Sequence, residues 1–253
     1  MEKRKLALVT GGSRGLGKEM ALRIAEKGLD VILTYHANQD AAMNTVRAIE
    51  EMGQKAMAIQ LDTRNVNSFD AFFKEIRTYL EETYSKPVFD YLINNAGTGI
   101  YKPFLETTES DFDEMMNIHI KGVYFLTQHA VPLLANGGGI INISSGLARF
   151  SLPGSSAYAS MKGAVDVFTR YLAMELSNKK IRANVVAPGA VATDFGGGEN
   201  KENEKKRALI SQNTALGRVG EPEDIGGIVA FLCTEDARWI NGQRIEASGG
   251  IML

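Results

Sequence analysis

The chain has 253 residues, 44% hydrophobic and 23% charged, enough apolar material for one self-sufficient core without a disulfide or metal staple. A net charge of -2 with no block of lysine or arginine removes electrostatic support for a nucleic-acid or anionic-membrane partner. No apolar run approaches membrane-spanning length, and Leu6-Ala-Leu-Val9 is too short for a signal-peptide core, so a cytoplasmic protein is expected; the single cysteine, Cys233, excludes an intrachain disulfide and a multi-cysteine metal site.

Leu6–Val9 is the first strand candidate, and it runs into Thr10-Gly-Gly-Ser-Arg-Gly-Leu-Gly17. Glycines at 11, 15 and 17 let the backbone turn tightly and approach a phosphate, while the helix that follows offers free N–H groups and a positive dipole end. That helix is marked by Leu16, Met20 and Ile24 at helical spacing and stopped by Gly28. Val31 to Tyr35 is the second strand candidate. It leads into His36-Ala-Asn38 with no carboxylate, and the next helix stops at Gly53. Ala56 to Leu61 and Tyr91 to Asn94 follow, then a long helix expected from about Asp111 to Leu134. Ile140 to Ser144 precedes a second long helix from about Ser155 to Ser177, and Ile181 to Val186 and Arg244 to Ala247 complete the series. Short β-branched runs alternating with helical patterns predict a parallel sheet covered on both faces, here an α/β doubly wound sheet of about seven strands in a single domain. The one compositional break, Gly196-Gly-Gly-Glu-Asn-Lys-Glu-Asn-Glu-Lys-Lys-Arg207, reads as a solvated loop and exposed helix or as part of a substrate-side flap over 190–213.

The second long helix carries Tyr158 and Lys162, four residues apart and therefore on one face. A free phenol has a pKa of about 10, and a fixed cation beside it favours the phenolate. Tyr158 is thereby a candidate for proton transfer at neutral pH.

With the glycine turn and this pair, the chain resembles the short-chain dehydrogenase/reductase family over essentially its whole length, with a Rossmann-type fold implied. Asn94-Asn-Ala-Gly97 is similar to the family's N-N-A-G motif, and Asp62 stands where an acid holds the adenine amino group. Ser145 lies thirteen residues before Tyr158, the spacing of the family serine, and Pro188-Gly189 with Thr193 matches the segment that closes over the nicotinamide. The resemblance implies hydride transfer between a nicotinamide and a carbonyl or secondary alcohol, with Tyr158 as general acid or base, Ser145 on the substrate oxygen, and Lys162 on the ribose and on the Tyr158 pKa. It implies a cofactor site of Gly11, Ser13, Arg14, Gly15, Leu16, Gly17, Tyr35, His36, Asp62, Thr63, Asn95, Ala96, Gly97, Tyr158, Lys162, Pro188, Gly189, Val191 and Thr193. NADP(H) is expected over NAD(H), because no acid ends the second strand and Arg14 can pair with a 2′-phosphate. No metal is needed, and His36, His119 and His129 lack ligand-like clustering.

The family's fifth helix carries a catalytic asparagine, and alignment on Lys121-Gly-Val-Tyr-Phe125 puts His119 there. Asn117, two residues earlier and about 200° around a helix, cannot share that face. His119 is expected to keep a water relay to Lys162 and, titrating near pH 6.5 or so, to shape the acid side of the rate profile. A small-molecule substrate and a homo-oligomer, a tetramer, are implied. A pocket lined by Leu147, Ala148 and Phe150, Thr98 to Tyr101, and Ala190 to Gly198 suggests an apolar or medium-sized carbonyl compound. Three other readings stand beside this one: a non-catalytic dinucleotide sensor, a nucleotide-sugar epimerase or dehydratase, and a 3-oxoacyl-carrier-protein reductase.

Overall fold

The structure, a computed structural model, describes residues 4–84 and 86–253. Each expected run becomes a strand: β1 (Leu6–Val9), β2 (Asp30–Tyr35), β3 (Ala56–Gln60), β4 (Phe89–Asn94), β5 (Leu134–Ile143), β6 (Arg182–Pro188) and β7 (Arg244–Ala247). All pairings are parallel, in the order β3-β2-β1-β4-β5-β6-β7. The order reverses beside β1, and in open parallel sheets that reversal leaves a crevice beyond the carboxyl ends of the strands.

The helices are α1 (Gly15–Glu26), α2 (Gln39–Glu51), α3 (Phe69–Tyr84), α4 (Glu109–Met116), α5 (Gly122–Ala130), α6 (Ser156–Glu175), α7 (Glu199–Glu202), α8 (Glu204–Gln212) and α9 (Pro222–Leu232). Strand residues alternate between two cores, as a period of two requires. Val9, Val31 and Leu33 pack with Met20, Ile24, Ile49 and Val229 of α1, α2 and α9. Leu8, Ile32 and Leu92 pack with Phe69, Ile76, Leu126 and Leu172 of α3, α5 and α6. Burying each such aliphatic side chain contributes about 1.5–3 kcal/mol.

Two expectations need correction. The helix expected over 111–134 is α4, a π-turn (Asn117–Lys121), α5 and a 3-10 turn (Val131–Leu133) in succession. Leu134 already belongs to β5, which begins well before Ile140. Glycines make this early start possible: Gly137 is left-handed (φ 81), and a Cβ on Gly138 would meet the Asp90 carbonyl oxygen at 2.2 Å. The register shift between Phe89 and Tyr91 absorbs the irregularity.

A polar ladder crosses the sheet where the site begins. Asn94 and Asn142 are register partners, and Asn94 Nδ2 donates to Asn142 Oδ1 (2.8 Å) and to Thr127 Oγ1 of α5 (3.0 Å). Asn142 Nδ2 donates to Thr169 Oγ1 of α6 at 2.8 Å. Buried amides must be paired, so this ladder ties α5 and α6 to the sheet at one level.

Candidate active site

A cleft of about 750 Å³ opens along the carboxyl ends of the strands. At one end lies the turn after β1, where Gly11 and Gly15 are left-handed (φ 68 and 53), conformations that side chains resist. A Cβ on Gly17 would lie 2.1 Å from the Gly11 carbonyl oxygen, so only glycine lets α1 begin this close to the turn. Thr10 Oγ1 accepts from the backbone N–H groups of Asn95 (2.9 Å) and Ala96 (3.0 Å), and Asn95 Nδ2 donates to the Thr10 carbonyl at 2.9 Å. The turn and the segment after β4 are thus one unit. No side chain caps α1, whose first residue before the helix, Arg14, is extended and exposed. The first-turn N–H groups and the dipole therefore face the cleft.

At the rim, His36 and Asp62 approach to 3.7 Å, and Arg64 bonds Asp62 (2.9 Å) and Glu114 (3.0 Å) and approaches His36 Nε2 at 3.3 Å. The hydrogen bond from Arg64 holds the Asp62 carboxyl below its ordinary pKa, against the opposing effect of burial. Free amides at a helix start, cations at the rim and an acid at the end of β3 form a donor set that fits a dinucleotide with a pyrophosphate and an adenosine end. Sequence reading missed Arg64 and Glu114; no spacing joins residues 50 positions apart.

At the other end stands Tyr158, in the first turns of α6 and only 7% exposed. Ser145 acts on the phenol, favouring its ionised form, while Ser144 donates instead to the Lys162 carbonyl (3.2 Å), which separates the roles of two adjacent serines. Lys162 is buried on the same helix face, its Nζ donating to the Ile143 carbonyl at 2.8 Å and lying 5.5 Å from the Tyr158 ring centre. Burial lowers the Lys162 pKa to about 8, opposed by the Asp166 carboxylate. Burial also pushes the Tyr158 phenol above its ordinary value, with Tyr101 adding and Ser145 opposing. This corrects the expectation that Lys162 draws Tyr158 down: its ammonium is directed at a β5 carbonyl, and desolvation of the phenol dominates.

His119 sits in the π-turn, 1% exposed, its ring edge-on to Tyr158 at 5.0 Å. Its Nε2 lies 2.6 Å from the Thr98 carbonyl, which can only accept, so Nε2 carries the proton and Nδ1 is left as a bare acceptor. Nδ1 is buried and has no hydrogen-bond partner among the described residues. Burial, then the charge of Lys162, lowers the His119 pKa well below its ordinary value, against the bond to Thr98. The expected titration near neutrality is therefore overturned: the ring stays neutral.

One residue of the expected cofactor set lies elsewhere. Tyr35 packs into the core against α1 and α2, because in an extended strand its neighbours Thr34 and His36 take the cleft face. The remaining expected residues of the glycine turn, Asp62, Thr63, Asn95, Ala96, Gly97, Pro188, Gly189, Val191 and Thr193 all line the cleft with the Tyr158, Lys162, Ser145 and His119 group. At the far wall stand Thr98, Tyr101, Leu147, Phe150, Ala190 and Phe195, without the expected Gly99, Ile100, Ala148, Ala192 and Gly196 to Gly198. Arg244, unremarked in the sequence, donates to the Ser145 carbonyl (3.0 Å) and to Asp166 Oδ2 (2.9 Å), anchoring the serine to β7 and α6.

A family model described as enoyl-(acyl carrier protein) reductase matches residues 11–252. The hydroxynaphthalene reductase-like protein Arp2 of Metarhizium robertsii is 37% identical over 257 residues, covering 97% of this chain and 94% of that protein. The angucycline C-6 ketoreductase LanV, solved with bound NADP, is 36% identical with a TM-score of 0.92, covering 98% of this chain and 95% of its own. A short-chain dehydrogenase/reductase from Serratia marcescens BCRC 10948 is 30% identical over the whole of both chains, with a TM-score of 0.90.

Proposed function

The chain belongs to the short-chain dehydrogenase/reductase family, an oxidoreductase working with NADP(H) on a carbonyl or secondary alcohol, and we propose which of its residues do the work. NADP(H), when bound, supplies or accepts the hydride. The observation that carries the assignment is the group of Ser145, Tyr158 and Lys162 at one end of a cleft whose other end is the glycine turn. Ser145 Oγ holds the substrate oxygen where charge develops, a donor already in place before reaction. In reduction the proton on Tyr158 Oη passes to that oxygen; in oxidation the same atom takes it back. Because burial holds the phenol above its ordinary pKa, Tyr158 carries its proton at neutral pH, the state needed for reduction. Lys162 anchors the nicotinamide-side ribose hydroxyls, and Pro188, Gly189 and Thr193 wall the opposite side.

Arg14 and His36, with no carboxylate between the end of β2 and Asn38, are the residues placed for the 2′-phosphate, and Asp62 for the adenine amino group. A charge-assisted contact of this kind is worth about 1.5–3 kcal/mol, or about tenfold to a hundredfold in affinity. The expected outcome is a kcat/KM for NADPH at least about tenfold above that for NADH, with Arg14→Ala erasing most of the difference. Tyr158→Phe should bind NADPH as the parent does, by fluorescence titration, while turnover of carbonyl substrates drops by about a hundredfold or more. Near-normal turnover in that variant would remove Tyr158 from the mechanism.

The acyl-carrier reading needs free cations at the mouth. Arg149 is paired with Glu246 (2.7 Å), Lys201 with Asp194 (2.9 Å), and Arg218 with Asp224. With these three paired we favour a free small-molecule substrate, while Lys206 of the same Lys201 to Arg207 segment lines the cleft without an ion pair among the described residues and is the cation the carrier reading would use. The proposal retains the cytoplasmic setting and the homotetramer expected from the sequence; Tyr124, Val167, Tyr171 and Met174 of α5 and α6 are exposed apolar residues suited to that assembly.

A further inference from the structure

Two aromatic rings from separate segments converge above Tyr158. Tyr101, in the connection after β4, has its ring centre 6.2 Å from that of Tyr158, and Phe195, at the start of the 190–213 segment, lies at 5.9 Å. Both are inclined 56° to the Tyr158 ring, so neither stacks on it, and both separations are ordinary for interacting aromatics. The convergence depends on missing side chains. A Cβ on Gly99 would sit 2.8 Å from Tyr101 Cε2 and 3.0 Å from Phe195 Cε1, and a Cβ on Gly196 would sit 2.9 Å from Tyr101 Cε2. Gly99 and Gly196 thus leave the space in which the two rings meet.

The two rings differ in how they are held. Phe195 is followed by Gly196, Gly197 and Gly198, all left-handed, a run that carries no side chain to resist rotation of the backbone. Tyr101 is fixed at its base, where the N–H of Lys102 donates to the Gly154 carbonyl at 2.9 Å and Lys102 Nζ pairs with Asp111 at 2.7 Å. One ring is anchored, and the other sits beside a glycine swivel. Together they stand against a phenol that is only 7% exposed and lines the cleft with them.

We propose that Tyr101 and Phe195 form an aromatic clamp that selects ketones borne on a flat, fused-ring body, presenting the ring-borne carbonyl to Tyr158 and Ser145. The inference rests on the carbonyl reductase reading above and deepens it to a substrate class. A flat substrate can lie against both rings at once. A flexible chain of equal carbon count meets the same two walls but must give up its rotational freedom to lie between them.

The test pairs two ten-carbon ketones, 2-tetralone and decan-2-one, with NADPH. The parent enzyme is expected to favour 2-tetralone by about tenfold in kcat/KM, and Tyr101→Ala or Phe195→Ala each to lower that ratio by about threefold, the double variant bringing it near unity. Tyr101→Phe and Phe195→Tyr keep a ring and should keep the ratio. Circular dichroism and NADPH titration establish that each variant folds. A parent enzyme preferring decan-2-one, or a ratio unmoved by both alanine variants, would overturn the clamp. Should neither ketone turn over, the reductase reading of the site fails by itself, and the clamp is decided by calorimetric binding of 2-naphthol in the presence of NADP. Binding weakened about tenfold in the double alanine variant supports it, and equal binding refutes it.

Discussion

Lys162 is the residue at which function and stability conflict. Its pKa in the folded chain is lowered to about 8 from an ordinary 10.5, so below pH 8 it is a buried ammonium, and the folded state bears the full desolvation cost. Between pH 8 and 10.5 the unfolded chain holds this proton and the folded chain does not, so the Lys162 contribution to stability becomes less unfavourable as pH rises through that window. Lys162→Met is expected to abolish turnover yet stabilise the fold at pH 7 by about 1–4 kcal/mol, with the advantage shrinking toward pH 10. Thermal melts of the two proteins across that range check it; a variant less stable than the parent at pH 7 would contradict it. His119, neutral through the same range, should put no limb on the acid side of the kcat/KM profile, and His119→Asn should leave the profile's shape unchanged between about pH 5.5 and 7.5.

The helical stretch from Glu109 to Leu133 illustrates what an element can conceal. Its apolar pattern and its capping box at Thr108 and Asp111 mark a helix, but the π-turn that aims His119 inward leaves no mark in periodicity. The turn is followed at once by Gly122, where a Cβ would meet the Thr63 carbonyl oxygen at 2.3 Å and the Asn117 carbonyl oxygen at 2.9 Å. Both contacts are backbone and cannot swing aside. Gly122→Ala should therefore displace the segment after β3, lowering stability by about 1–3 kcal/mol in urea titration. Because Thr63 lines the cofactor end of the cleft, the same variant should raise the KM for NADPH more than it lowers kcat. A kcat effect alone would place the disturbance at His119 instead.

At the scale of the molecule, α6 faces two ways. Tyr158, Lys162, Val165 and Leu172 are turned inward, whereas Tyr171 and Met174 are 62% and 75% exposed. If α5 and α6 bury these residues against a second copy, as the proposed tetramer requires, light scattering at micromolar concentration should report four chains. Tyr171→Asp combined with Met174→Asp should then dissociate them, since unpaired carboxylates are costly in an apolar contact. A parent protein that scatters as a monomer would exclude the assembly.

The seven strands, their parallel pairing and the glycine turn were legible in the linear chain because they depend on local chemistry. Short aliphatic and β-branched runs, glycines where backbone must approach backbone, and a fixed interval from Ser145 to Tyr158 and Lys162 are all written within short windows. Tertiary structure decided what depends on distant neighbours. Tyr35 lies in the core while His36 faces the cleft, Arg64 reaches Glu114 across 50 positions, and Arg244 of β7 holds the Ser145 carbonyl. Burial reversed two electrostatic expectations, raising Tyr158 and keeping His119 neutral, because desolvation is set by the atoms that surround a group and not by its place in the chain. The meeting of Tyr101 with Phe195 is of the same kind. Ninety-four positions separate the two rings in sequence, and only the sheet, by bringing the connections after β4 and β6 to the same end of the strands, sets both against the same phenol.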